Sequence, residues 1–144
     1  MIVVNASVLF EVVADTPASE PMRERLAADP DHAAPHLIDV EVFGVIRREW
    51  LRGALDSTAA GQAVADLRDW PGDRYGHRPF LQRAWELRDS IRGWDAIYVA
   101  LAEALDVPLL TTDGRLATAS GPTCQIEVVV AGRAPELGRA GRGA

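Results

Sequence analysis

Apolar positions along the chain follow two kinds of pattern. Residues 2–5 run Ile-Val-Val-Asn, a continuous apolar stretch with no alternation. That is the habit of a short strand buried on both faces of a parallel sheet. Further strand candidates are "APHLI" (34–38), "VPLLTT" (107–112) and "IEVVV" (126–130), with a weak one near Tyr75 in "RYGHR". Between them, apolar residues return at helical spacing. Ser7 is expected to cap a short helix that ends near Val13, Thr16-Pro17 opens another to about Ala28, and Asp39 caps a third from Val40 to Arg52, with Gly53 at its end. Ser57 caps a helix from Thr58 to about Asp69, and Pro79 begins one that runs to about Ser90. The clearest helix spans Trp94 to Leu105, where Ile97, Leu101, Ala104 and Leu105 fit a period of 3.6.

Strands separated by helices imply βαβ units, right-handed crossovers and a parallel sheet, hence an α/β fold. In open sheets of this kind a ligand sits beyond the carboxyl ends of the strands, at a topological switch point. Asn5 and Asp113 each end a strand on that edge. Residues 1–130 read as one domain. From Ala131 the chain becomes "AGRAPELGRAGRGA", with hardly any large apolar side chains, and residues 131–144 are expected to be a disordered tail.

Charge narrows the function. A net charge of -6 over 144 residues excludes nucleic-acid binding through general basicity, because such a surface repels phosphates. Contact with RNA would need local cations or a metal. All fifteen basic residues are arginine, which reads as a compositional habit of the source genome. It also gives every cation a planar fork suited to carboxylates and phosphates. Cys124 is the only cysteine, so neither an intramolecular disulfide nor a cysteine-based zinc site is possible. No basic segment precedes a long apolar stretch at the amino end, and "AIYVALAEALDVPLL" is broken by Glu103 and Asp106 and too short to span a bilayer. The expected location is the cytoplasm, with no membrane contact.

Four polar positions carry the candidate chemistry. Singly, each has an ordinary explanation. Asp113 before Gly114 suits a turn, Asp95 and Glu41 in the first turns of helices suit the macrodipole, and Asn5 suits a cap. Together they lie at two strand ends and two helix starts, all on one edge. Two carboxylates about 4 Å apart repel by about 4 kcal/mol at an effective dielectric near 20. A site of that kind takes up protons or holds a cation, and hard oxygen ligands suit Mg²⁺ or Mn²⁺. His32, His36 and His77 have neither metal spacing nor a nucleophile partner and read as packing residues.

The segments "IVVNAS", "LIDVEVFGVIRR", "GWDAIYVALAEAL" and "LLTTDGRLA", in this order across residues 1–130, resemble the PIN-domain ribonucleases, specifically the VapC-type toxins of bacterial toxin–antitoxin pairs. The resemblance implies a PIN-like fold, a five-stranded parallel sheet flanked by helices on both faces. It implies a Mg²⁺- or Mn²⁺-dependent endoribonuclease whose metal-binding and catalytic cluster is Asn5, Glu41, Asp95 and Asp113. Ser7 and Thr112 match hydroxyl positions beside that cluster, and Arg115 is a candidate for substrate phosphate or else a solvated turn residue. A homodimer is implied, with RNA as substrate and a cognate antitoxin lying in a groove. Val8, Phe10, Val12, Met22, Phe43 and Trp50 are candidate contacts for these partners, with core packing the competing explanation; Trp70 and Trp85 are open between core and interface.

The family pattern has Asp where this chain has Asn5. An amide offers a carbonyl oxygen to a metal but no charge, so the enzyme is expected to be weakened or inactive. The asparagine is either a deliberate disarming change or a natural variant. A non-catalytic module that grips RNA or an antitoxin is the alternative. A phosphotransfer receiver fits poorly without any lysine, and a Rossmann dehydrogenase fails without glycines after the first strand.

Overall fold

A computed structural model describes residues 1–130, so the expected tail at 131–144 lies outside the described residues. Five parallel strands form one sheet: β1 (Ile2–Val4), β2 (His32–Pro35), β3 (Asp73–Tyr75), β4 (Leu109–Thr111) and β5 (Ile126–Val128). Their order is β3-β2-β1-β4-β5. The chain builds outward from β1 to β3, then crosses back to place β4 on the other side of β1. This reversal between β1 and β4 is the switch point. Right-handed crossovers in the two directions put helices on opposite faces. The first group is α1 (Ala6–Val13), α2 (Ser19–Ala27), α3 (Leu37–Leu51) and α4 (Ser57–Asp69), in which α1 packs against the other three. The second is α5 (Leu81–Glu86) and α6 (Gly93–Leu105), with α6 lying against β1, β2 and β4. A short α7 (Gly114–Thr118) follows β4.

The core explains the unalternating strands. Ile2, Val3, Val4, Leu109 and Leu110 are fully buried because helices cover both faces. Helix α6 is buried all round from Ala96 to Ala102, as befits a helix packed between the sheet and α5. Among the described residues no helix is long and apolar enough to cross a membrane.

Several boundaries differ from the sequence expectation. β2 is His32–Pro35 rather than 34–38, and α3 starts at Leu37 rather than Val40. The reason is remote: Leu37 N donates to Nε2 of His77 at 2.9 Å, which satisfies a helix start that has no local side-chain cap. Asp39 does not cap α3; it receives Arg74. Asp56, not Ser57, caps α4 by accepting from Ala59 N at 2.7 Å. Asn5, not Ser7, caps α1. After Pro79 a single 3₁₀ turn (Arg78–Phe80) precedes a helix that stops at Glu86, not Ser90.

Two arginines fix the outer elements. Arg74 of β3 grips both carboxylate oxygens of Asp39 at 2.9 and 3.2 Å and donates to the carbonyls of Leu67, Trp70 and Gly72. Its guanidinium also stacks over Trp70, 5.0 Å from the ring centre. Arg83 of α5 grips Glu103 of α6 at 2.7 and 3.2 Å and the Gly121 carbonyl at 2.9 Å, while Thr123 N donates to Glu103 at 2.8 Å. Burial alone would raise the Glu103 pKa, but Arg83 and the Thr123 amide more than reverse this and hold it below the usual value. A depressed carboxylate stabilises the fold above its unfolded pKa, about 4.3 for Glu. That contribution is lost as pH falls through the lower folded value. Urea denaturation is therefore expected to show a stability loss on acidification that shrinks in Glu103→Gln. At neutral pH the same variant should lose about 1–3 kcal/mol.

Candidate functional site

The exits of the two central strands are stitched together. Val4 pairs with Leu110, and Asn5 N continues the ladder to Leu110 O at 2.9 Å. Asn5 is only 6 % exposed, and its Oδ1 accepts from Ser7 N at 3.0 Å to start α1. Ser7 Oγ accepts from Thr112 N at 3.2 Å, so this hydroxyl holds the β4 exit in place. The buried Thr111 hydroxyl accepts from Asp113 N at 3.1 Å. Asp113 in turn caps α7 through Arg115 N at 2.9 Å and pairs with the Arg115 guanidinium at 3.2 Å.

Asp95 sits in the first turn of α6, because Gly93 starts that helix at the sheet edge. Glu41 lies on α3 beside the buried stripe Ile38, Val42 and Ile46, and is half-buried with it. Burial raises the pKa of Glu41; a hydrogen bond from the Tyr98 hydroxyl opposes the rise, and repulsion from Asp95 adds to it. Burial likewise raises that of Asp95; a hydrogen bond with the Asn5 side chain opposes the rise and repulsion from Asp113 adds to it. Asp113 behaves in the opposite way, since Arg115 holds its carboxyl below the usual range. Asp95 is thus the centre of the group, with Asn5, Glu41 and Asp113 around it.

One atom of this group lacks a partner. Glu41 Oε1 and the hydroxyl of its neighbour Tyr98 are both buried; the hydroxyl is the nearby donor that acts on the carboxylate, but the two do not meet at full hydrogen-bond geometry. An orphaned buried carboxylate oxygen is costly unless something positive reaches it. Among the described residues no three His, Cys, Asp or Glu side chains gather closely enough to cage an ion alone. Mg²⁺ does not require a cage; it is usually held by one or two carboxylates and keeps several waters. The acids Glu41 and Asp95, with Asp113 lining the recess beside Asp95, fit that chemistry; the Asn5 carbonyl could add to them only through the lone pair that Ser7 N leaves free.

Two cavities adjoin the group. A recess of about 200 Å³ is walled by Asp95, Asp113, Arg92, Arg115 and Ser90. A groove of about 600 Å³ runs from Ser7 and Thr112 between α1 and α3, past Phe10, Val45 and Leu55. Tyr98 and Arg92 were not among the sequence candidates. Tyr98 lies one helical turn after Asp95, a spacing that could have flagged it. Arg92 immediately precedes the helix and carried no pattern of its own.

The candidate contact residues divide. Val8 and Met22 are core, Phe10 and Val12 are half-buried, and Phe43 and Trp50 are 52 % and 46 % exposed. Trp70 packs on the core and stacks on His32, whereas Trp85 is exposed beneath Arg88. Two histidine rings are structural: His32 Nε2 bonds Leu26 O at 2.9 Å and His77 accepts from Leu37 N, whereas His36 is exposed and contributes only its backbone N–H, to Tyr75 O at 2.9 Å.

Comparison with known proteins places this arrangement. The PIN domain family matches residues 2–122. Ribonuclease VapC12 of Mycobacterium tuberculosis is 41% identical over 129 residues, covering 90% of this chain and 99% of the relative. Ribonuclease VapC1 of the same organism is 40% identical over 128 residues, covering 88% and 96%. The crystal structure of PAE2754 from Pyrobaculum aerophilum shares the fold with a TM-score of 0.65 at 22% identity, covering 88% of this chain and 83% of that one.

Proposed function

The chain belongs to the PIN-domain family, among its VapC-type toxins, and from that membership we propose that it is a divalent-metal-dependent endoribonuclease, weakened at Asn5 and neutralised by a cognate antitoxin. The observation that supports the proposal is the half-burial of two neighbouring acids, Glu41 and Asp95, each raised by burial and Glu41 further by the charge of Asp95, an arrangement that favours a cation between them.

Glu41 and Asp95 would hold Mg²⁺ or Mn²⁺ with the Asn5 carbonyl, and Asp113 would support them from the recess. The ion supplies Lewis acidity towards an RNA phosphodiester and offsets the carboxylate repulsion. Ser7 keeps the Thr112 backbone in place, so the Thr112 and Asp113 positions stay fixed against the β1 exit. Arg115 offers its exposed guanidinium to a substrate phosphate. The groove between α1 and α3 opens at Ser7 and Thr112, and an antitoxin segment lying in it would end at the acidic group. Phe43 and Trp50 offer apolar surface to the antitoxin or to a second copy in a homodimer. The working compartment is the cytoplasm, and residues 1–130 constitute the catalytic domain.

One observation favours the second reading, a module that binds without cutting. The Asn5 side chain already favours the charged form of Asp95 without any ion. Titration with Mn²⁺ and cleavage of a structured RNA separate the two readings. Saturable Mn²⁺ binding and EDTA-sensitive cleavage, both reduced at least about 10-fold in Asp95→Asn, are expected of the nuclease. A chain that takes up no Mn²⁺ and cuts no RNA is the binding module.

A further inference from the structure

We propose that Tyr98 is a positioning residue: its buried hydroxyl holds Oε1 of Glu41 inward, so that Glu41 offers a cation one oxygen only and the cluster takes Mg²⁺ or Mn²⁺ in preference to Ca²⁺. The inference rests on the divalent-metal reading of the cluster and adds what sets its choice of ion.

Tyr98 has no exposed surface and lies where α6 is buried all round. Phenylalanine would fill nearly the same space. Burying a hydroxyl is costly unless a partner takes it up, so packing gives no reason for the oxygen. Its polar neighbours do. The Glu41 carboxylate and the backbone amide of Ala6 both act on it, and the charge of Asp95 reaches it as well. Ala6 is the first residue of α1, so its N–H has no partner inside that helix. A phenolic hydroxyl both accepts and donates. Tyr98 can therefore accept from Ala6 N while it donates to Glu41, which links the start of α1 and the β1 exit to α3 by way of α6. The hydroxyl and Glu41 Oε1 are both buried and stop short of full bonding geometry. Hydrogen bonds around a reactive centre commonly tighten once a ligand fixes the acid.

The two oxygens of Glu41 stand in different surroundings. Oε1 is shut away from solvent. Oε2 is not among the buried unpartnered atoms and has no hydrogen bond among the described residues, and Glu41 as a whole is half-buried, so Oε2 is the oxygen that meets solvent. A hydrated cation can reach Glu41 only there. That favours Mg²⁺, which keeps near-octahedral geometry and several waters and is held by one or two carboxylates. Ca²⁺ takes about six to eight oxygens and commonly draws both from a glutamate. A carboxylate with one oxygen engaged by Tyr98 cannot supply the pair.

The test measures ion binding without RNA. Electron paramagnetic resonance follows Mn²⁺ uptake, and competition gives the Ca²⁺ affinity, in the native chain, Tyr98→Phe, Glu41→Gln and the double variant. Mn²⁺ affinity in Tyr98→Phe is expected to fall roughly 10- to 100-fold, the scale of losing a partner behind a metal ligand. Ca²⁺ affinity should fall less or rise, so the preference for Mn²⁺ narrows. Because Tyr98 acts through Glu41, adding Tyr98→Phe to Glu41→Gln should weaken Mn²⁺ binding no further. The inference is overturned if Tyr98→Phe binds Mn²⁺ as the native chain does, if both ions weaken by the same factor, or if the two substitutions add. A Tyr98→Phe chain that no longer folds, read by circular dichroism, overturns it too, since the hydroxyl would then serve the fold and not the ion. If neither the native chain nor Asn5→Asp takes up Mn²⁺, the metal reading falls and this inference with it; uptake that ignores Tyr98 removes the inference alone.

Discussion

Asn5→Asp is expected to raise Mg²⁺-dependent RNA cleavage by at least about 10- to 100-fold, with EDTA abolishing the gain. The scale is that of losing a partner of a metal ligand, and restoring a ligand charge should be worth no less. Local structure permits the change. An aspartate can keep accepting from Ser7 N through one oxygen, so α1 retains its cap. The second oxygen replaces the amide nitrogen of a side chain that now favours the charged form of Asp95. A donor thus becomes a like charge, in a position only 6 % exposed. At about 4 Å such a pair repels by about 4 kcal/mol at an effective dielectric near 20. Without metal the variant should therefore melt lower than the native chain, and Mg²⁺ should restore it by binding only the folded state. Differential scanning fluorimetry with and without Mg²⁺ reads this independently of RNA. A variant that is inert on RNA and whose melting ignores Mg²⁺ would remove the metal site from consideration.

Arg74→Ala should be the most destabilising single change outside the apolar core, at about 2–4 kcal/mol. One guanidinium serves Asp39 and three carbonyls at and beyond the end of α4, and stacks on Trp70. Asp39 is 41% exposed, so it can regain water when its partner is lost. The Leu67, Trp70 and Gly72 carbonyls lose a donor that ties the end of α4 to β3. Arg74→Lys is expected to recover less than half of the loss, because an ammonium cannot reproduce the planar fork. Urea denaturation checks both. A loss in Arg74→Ala under about 0.5 kcal/mol, the scale of ordinary surface substitutions, would show that the network contributes little. Asp39 also stands two residues before Glu41 on α3, so loosening this tie should reduce metal affinity as well.

The features legible in the sequence were those set by neighbours in the chain. Unbroken apolar runs marked β1 and β4, and Asn5 and Asp113 marked their ends. Asp95 stands at a helix start, where an acid is conspicuous; Glu41, expected in a first turn, lies in the second turn of α3 because that helix begins three residues early and Asp39 takes the first turn. What escaped was set by residues far apart in the chain. "HAAP" has little intrinsic tendency to form a strand, and becomes β2 because β1 and β3 flank it. The start of α3 depends on His77, forty residues later. The five residues of α7 are too few to show a period. Tyr98 looked like one more apolar residue of α6, and only its position against Glu41 reveals the buried hydroxyl. Arg74, one arginine among fifteen, could be distinguished only by its partners.

The placement of β1 between β2 and β4 also bears on how the protein is made. During synthesis the middle of the sheet emerges from the ribosome first, but its second neighbour, residues 109–111, is translated only in the last third of the described chain. Until then β1 has one open edge, and the Asn5 side of the cluster faces no Asp113. Pairings of such long sequence separation close slowly, and an unpaired strand edge invites association. The nascent chain therefore cannot cut RNA while most of it is still being translated, and a truncation before residue 109 should yield an aggregating fragment rather than a smaller nuclease.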